Sequence, residues 1–378
     1  MTKVILGTNE TSAWPHFAGS IWVRLQYLLG LERLGIESFW VDRLAPPDPR
    51  KNLHSLEYLV ERFDRTARDF GFDDRYCILY NEGEHYIGLD EKGLASLARH
   101  ADLLINIGGH LPPKSVLLDV RRKAYLDVDP GFTQMWAHQV DMNFARHDSF
   151  FTTGQNVGRE GFEIPTRGID WQPTLPPVVL DLWPPCIDES FQRIGTVADW
   201  RGSQDVIYEG EWYSGKREEF LGFLRVPTEA GREIELALLV GQEDYEDLGI
   251  LLRHGWRVHD PYAYAGDPHA YREFIQRSRA EFSVAKRGYV RTRCGWVSDR
   301  TPAFLASGKP ALVQSTGFEW RLPSGEGLLT FGTVQEAVDG LAAIEDDYLR
   351  HAEAARRIAE QHFDSDLVLG SLLERAGL

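Results

Sequence analysis

The stretch at 173–185, PTLPPVVLDLWPP, holds five prolines in thirteen residues. Proline has no amide hydrogen and its ring clashes with the preceding turn, so at this density neither a helix nor a central strand can form. The stretch therefore reads as an extended connector between two units. On its N-terminal side, strands are expected over 3–6, 38–41, 77–80, 103–107, 123–126 and 149–153. Helices are expected over 19–34, 54–70 and 134–139, and Asp90 is a suitable N-cap for another that carries Leu94 and Leu97. On its C-terminal side, strands are expected over 192–197, 235–240, 256–259, 281–285, 310–314 and 328–331. Helices near 216–224, 244–254, 268–278, 299–307 and 334–344 separate them, and helical segments at 346–360 and 365–376 close the chain. Strands alternating with helices specify parallel sheets, because parallel neighbours need a crossover. The expected class is α/β, with two Rossmann-like doubly wound domains over 1–180 and 181–378 facing a central cleft. The last helix, about 363–378, is expected to reach back to the first domain.

Composition narrows the function classes. Of 378 residues, 43% are hydrophobic and 12% aromatic, enough for two cores. The net charge of −16 opposes a broad nucleic-acid surface, which requires excess cation against phosphate, so nucleic acid is an unlikely partner. Cys77, Cys186 and Cys294 are distant and odd in number, which fits a reducing, cytoplasmic setting rather than a disulfide framework. Neither a Cys-x-x-Cys nor a His-Glu-x-x-His pattern occurs, so no metal site is expected. No apolar run reaches membrane-spanning length and no secretory core opens the chain.

The densest chemistry lies over 280–331. A buried strand at 281–285 is followed by a predicted loop with Lys286, Arg287, Arg291 and Arg293, then Cys294-Gly295-Trp296. Ser298 is placed to cap a helix at 299–307 that Gly308 ends. The strand at 310–314 leads to a loop with Thr316, Gly317, Phe318, Glu319 and Trp320. Strand, cationic loop and capped helix make an anion site at a helix N-terminus, at the carboxyl edge of a parallel sheet. The plainer alternative for the cations is a solvated basic loop.

Arg-Cys-Gly-Trp-Val-Ser at 293–298 resembles the His-Cys-Gly-Trp-Asn-Ser core of the nucleotide-sugar signature in plant-type glycosyltransferases. Gly308-Lys309-Pro310 and Glu319-Trp320 are similar to that signature's later Gly-x-Pro and acidic–amide pair. The longer string, with SDR, LASGKP, STGF and LPSGEGLLTF, looks like bacterial transferases of the GT-B fold. In this alignment Arg293 stands at the family's His, Trp320 at its amide, and Thr301 near its ribose-binding Glu. Residues 287–293 are extra.

The resemblance implies GT-B architecture, with the donor on the C-terminal domain and the acceptor on the N-terminal one. It implies no cofactor, the co-substrate being a UDP- or dTDP-linked sugar. Donor contacts would come from Lys286, Arg293, Gly295, Ser298, Thr316, Gly317, Glu319, Trp320 and Tyr262. Cations answer the charge of the leaving diphosphate, a carboxylate accepts from sugar hydroxyls, and an indole stacks on a pyranose. Tyr262 would meet the base. His16 sits in a segment similar to the His-x-x-Pro loop of inverting relatives and is the general-base candidate, with Asp127, Asp129, His110 and His138, at or after other strand ends, as candidates for partner or base. Residues two apart on an extended segment face opposite sides, so one of Asp127 and Asp129 is expected in the cleft. The expected reaction moves a hexose or deoxysugar to the hydroxyl of a small acceptor, without metal and with inversion. A catalytically silent subunit that activates a partner transferase, and a sugar-nucleotide epimerase, are the alternatives.

Overall fold

The computed structural model describes residues 1–9, 11–46, 54–112, 114–202 and 205–378. Eight strands make the first sheet: β1 (Lys3–Asn9), β2 (Glu37–Leu44), β3 (Tyr76–Tyr80), β4 (His85–Gly88), β5 (Leu103–Ile107), β6 (Lys123–Asp127), β7 (Ser149–Thr152) and β8 (Gln172–Pro173). Their order is β4-β3-β2-β1-β5-β6-β7-β8, parallel except for β3 with β4. Val4, Ile5 and Leu6 on β1 are fully buried, as a strand with helices over both faces requires. The helix Ala18–Arg33 carries the chain from β1 to β2 and buries Ile21, Trp22, Leu25 and Leu28.

The second part adds β9 (Ile194–Asp199), β10 (Val206–Tyr208), β11 (Glu211–Tyr213), β12 (Ile234–Leu239), β13 (Trp256–His259), β14 (Ala280–Ser283), β15 (Ala311–Gln314) and β16 (Leu328–Phe331). Six of these form a parallel sheet in the order β13-β12-β9-β14-β15-β16. Strands β10 and β11 form a separate hairpin, its turn made by Glu209 and Gly210 at φ 51° and 82°. In both large sheets the winding reverses at the first strand, β1 between β2 and β5, β9 between β12 and β14. Ligands of doubly wound sheets bind outside the carboxyl ends at such switch points. The ends of β1 and β9 therefore locate the site.

Two local expectations are corrected. The cationic loop after β14 is a helix, Arg287–Thr292, closed by Arg293 in the left-handed region at φ 47°. The helix that follows is shorter than expected, Thr301–Ala306, and Ser298 accepts from the Arg300 amide at 3.3 Å rather than capping a helix from 299. The extended connector is pinned along its length: β8 extends the first sheet, and Val178 and Phe363 share a backbone hydrogen bond of 2.7 Å. The C-terminal helix Ser365–Arg375 lies on the first helix, where a Cβ on Gly30 would come within 2.5 Å of Leu369. One apolar core runs through Leu6, Trp22 and Trp183 to Phe304, Leu305 and Leu372.

Candidate functional site

The chain after β1 is held by one buried carboxylate. Asp42, on β2, accepts from the Thr8 hydroxyl at 2.5 Å, from the Ser12 amide and hydroxyl at 2.8 and 2.7 Å, and from the Thr11 amide at 3.3 Å. This fixes where the first helix begins. No side chain caps that helix and its first turn carries no acid. The amides of Ala18, Gly19 and Ser20 have no intrahelical partner, and these three residues line a cavity of about 180 Å³. A second cavity, about 320 Å³, adjoins it. Ser20, Asp199, Lys216, Asp299 and Arg300 line both, so the two form one cleft between the ends of β1 and β9.

Lys216 is the cation of this cleft. Gly215 lies so close to Arg201 that a Cβ would sit 1.4 Å from its carbonyl oxygen, and this contact sets where Lys216 emerges. Among the described residues no carboxylate lies within ion-pair distance of its ammonium. Burial, with Arg300 and Lys286 nearby, pushes the Lys216 ammonium down to about 7. Arg300 forms the floor, donating to Glu281 at 2.8 Å, the Val197 carbonyl at 2.7 Å and Ser283 Oγ at 2.6 Å. Asp199 caps the end of β9, and burial raises its carboxyl against hydrogen bonds from the Gly202 and Arg201 amides.

Asp129 and Lys286, both singled out in the sequence, meet each other. They form an ion pair of 2.5 Å across the two halves, and Tyr289 donates to the same oxygen at 2.5 Å. Burial works to raise the Asp129 carboxyl, but Lys286 and Tyr289 outweigh it and hold it below the usual range. Asp127 lines neither cavity. It is fully buried and accepts from Thr133, Thr152 and Gln134 at 2.7, 2.8 and 3.1 Å, which fixes the turn after β6.

His16 lines the smaller cavity with Tyr262, their rings 5.4 Å apart. Its Nε2 is 2.9 Å from the Tyr58 hydroxyl. Burial and Arg62 lower its pKa, opposed by a hydrogen bond to the Gly266 backbone. Leu239, Pro261, Tyr262 and Phe17 make this end of the cleft apolar. His110 and His138 are exposed and line neither cavity; His138 packs on Tyr208 at 5.3 Å.

Most of the signature residues lie outside the two cavities. Arg293 is exposed and lines neither cavity, while its carbonyl accepts from Asn156 Nδ2 at 2.6 Å. Asn156 also donates to the Gly317 carbonyl at 2.9 Å and accepts from Trp320 Nε1 at 2.6 Å. Gly154 bridges to Trp296, and the Gln155 amide donates to Gly295 at 3.2 Å. Gly295 takes φ 75° there, with Gln155 only 3.0 Å from where a Cβ would stand. Thr316 donates to the Trp296 carbonyl at 2.6 Å. Glu319 lines neither cavity, whereas Ser298, Lys286 and Trp296 line the larger one. Residues 293–296 and 316–320 thus form the seam with the loop after β7.

Sequence reasoning missed Lys216, Arg300, Asp199 and Asp299 as lining residues. The signal for Lys216 was present: it opens a predicted helix that follows the first strand of the second half. Among the described residues no group of three or more His, Cys, Asp or Glu could hold a metal ion. Among the same residues no helix is long and apolar enough to cross a membrane. An apolar slot ending at bare helix amides and an unpaired cation suits a ligand with a planar apolar part and an anionic part.

No protein-family model and no curated protein sequence matches the chain. Solved structures match over their whole length at low identity. An alpha-glucosyltransferase in complex with UDP aligns over 100% of both chains with TM-score 0.63 and 12% identity. Sucrose-phosphate synthase from Thermosynechococcus elongatus aligns over 99% of both with TM-score 0.55 and 12% identity. TarM aligns over 100% of this chain and 99% of its own, with TM-score 0.60 and 8% identity. Another structure of the alpha-glucosyltransferase contains UDP and a 13-mer DNA. The shared architecture is the GT-B fold.

Proposed function

We propose that this GT-B chain is a glycosyltransferase that moves a sugar from a UDP-class nucleoside-diphosphate sugar to an acceptor hydroxyl. The observation that carries the reading is Lys216, an unpaired buried cation facing the uncapped start of the first helix. UDP in a structural neighbour supports the nucleotide. The diphosphate is assigned to Lys216, Arg300 and the Ala18–Ser20 amides, where fixed positive charge meets the negative charge that grows as the diphosphate leaves. The base is assigned to the slot of Leu239, Pro261 and Tyr262. The donor then rests mainly on the 181–378 half and the acceptor enters over the 1–180 half.

Direct displacement with inversion needs a base, and His16 is the sequence candidate. Its Nε2 is held by Tyr58 and its ring also engages the Gly266 backbone. Asp127 and Asp129 are committed to other partners. These engagements favour the donor-assisted route, which retains configuration. There the bond from the anomeric carbon to the diphosphate breaks, and the new bond to the acceptor oxygen forms on the same face. The acceptor proton passes to a diphosphate oxygen.

The acceptor is proposed to be a hydroxyl compound other than nucleic acid, since −16 net charge repels phosphate chains. A gel shift with duplex DNA at low salt that shows tight binding would reverse this assignment. The reading as a whole is tested by calorimetry with UDP and by consumption of UDP-sugars across an acceptor panel, with and without chelator. Binding that depends on Lys216, with turnover that survives chelator, is expected. UDP binding without turnover until a partner transferase is added would identify the silent subunit instead, and turnover with no acceptor would identify the epimerase.

A further inference from the structure

Away from the cleft, a cavity of about 490 Å³ opens where the connector, the loop after β15 and the C-terminal helix meet. Its cationic lining residues are Arg321 and Arg375, with the His362 imidazole beside them, and no carboxylate lines it. That is unusual in a chain with 57 acids against 41 Lys and Arg, where a random surface hollow is expected to include an acid. Among the described residues the Arg321 and His362 side chains make no hydrogen bond and no ion pair. Arg375 donates to the Ser371 and Pro173 carbonyls at 3.1 and 3.0 Å and stacks 5.1 Å over Phe151, so three of its five guanidinium hydrogens stay uncommitted.

The fold holds the two guanidiniums and the imidazole together. His362 lies in a π-helical turn, Ala359–Phe363, and the Phe363 carbonyl is tied to the Val178 amide at 2.7 Å. Turns of this kind re-aim side chains and recur at functional sites. Burial and then Arg321 lower the His362 pKa, which keeps the imidazole neutral at pH 7, and burial and then Arg321 also oppose the charge on Arg375, against Glu374. Glu374 offsets part of the charge on Arg375 but does not line the cavity, and the two guanidiniums in the lining repel each other unless an anion neutralises them.

We propose that this cavity is a second ligand site that takes a phosphate-type oxyanion, as a phosphate monoester with a small organic body. Arg321 and Arg375 supply planar forks suited to phosphate oxygens. The cavity is larger than one phosphate, and Leu175, Leu367 and Val368 offer an apolar wall for the remainder. The site is independent of the cleft and stands whether or not the cleft binds UDP.

Calorimetry on the full chain tests this, with inorganic phosphate and glycerol 1-phosphate as probes. The variants are Arg321→Ala, Arg321→Glu and, for the cleft, Lys216→Ala. Arg321 is exposed and makes no bond, so its replacement leaves the fold intact. Both Arg321 variants are expected to weaken the probes by about tenfold or more at this site, with Glu worse than Ala, and Lys216→Ala to leave the Arg321-dependent component of binding unchanged. Tighter binding of the glycerol ester than of inorganic phosphate supports the ester. Equal affinity points to free phosphate and overturns the organic part of the proposal. Probe binding that falls with Lys216→Ala but not with Arg321→Ala, or no binding to wild type, overturns it entirely.

Discussion

Lys216 has a titration that can be read in solution. Its ammonium is lowered from an ordinary 10.5 to about 7 by burial and by Arg300 and Lys286. Between those values the unfolded chain holds a proton that the folded chain lacks, so its contribution to stability rises with pH across that window. Below about 7 both forms are charged and the cost of the buried charge is fully present. A bound diphosphate favours the charged form, so binding takes up a proton and affinity falls as pH rises above about 7. Calorimetry is expected to show the UDP dissociation constant weakening toward tenfold per pH unit there. Lys216→Arg should flatten that profile, because a guanidinium does not titrate in the range. Lys216→Ala should cost about 2 kcal/mol of binding near neutral pH. His16 makes the second residue-scale test. If the donor-assisted route holds, His16→Ala slows turnover by less than about tenfold, and proton NMR shows product and donor with the same anomeric configuration. An inverted product with a loss of about a hundredfold would restore His16 as the base.

At the scale of elements, the loop after β7 is an unexpected organiser. Gly154, Gln155 and Asn156 add backbone and side-chain bonds to 293–296 and 316–320, and Asn156 alone joins three of those residues. Replacing Asn156 by Ala leaves two carbonyls and an indole short of partners, so thermal or denaturant unfolding should show a loss of about 1–3 kcal/mol. UDP affinity should hold, because none of these bonds reaches Lys216. The same loop explains why the cysteine–glycine–tryptophan core was legible as a site but not as a seam. Six of the seven extra residues fold into the helix Arg287–Thr292, and the seventh, Arg293, is its left-handed cap and stands at the surface. Spacing along the chain contains no information on that direction. The β10–β11 hairpin and β4 escaped sequence reading for another reason: runs of three or four residues with polar members carry too little periodicity.

Across the whole molecule the two sheets are held by a shared core, a stitched connector and the Asp129–Lys286 pair. Removing the charge of Asp129 takes one carboxylate away from Lys286, whose ammonium acts on that of Lys216. Asp129→Asn should lower stability by about 1–3 kcal/mol and open the cleft. Small-angle scattering is expected to show a larger radius of gyration for this variant than for wild type, with UDP reversing the difference. Equal radii in all four states would mean that the core and connector hold the halves without help from the pair.

The sequence by itself determined the class of fold. Apolar runs such as Val4–Ile5–Leu6 can be satisfied only inside a covered parallel sheet, and helical periodicity between them dictates the crossovers. It also set the break at the proline stretch and brought Lys286, Ser298, His16, Tyr262 and Asp129 into consideration. Only the tertiary structure decided what these groups meet. Lys286 and Asp129 are 157 residues apart, and nothing local to either specifies an ion pair between them. Lys216 gains its role from a glycine pressed against Arg201, from two cations brought in by other segments, and from a helix start that no side chain caps. Local pattern governs which face of a segment is buried; which segments come together at the cleft is settled by sheet order and by the packing across it.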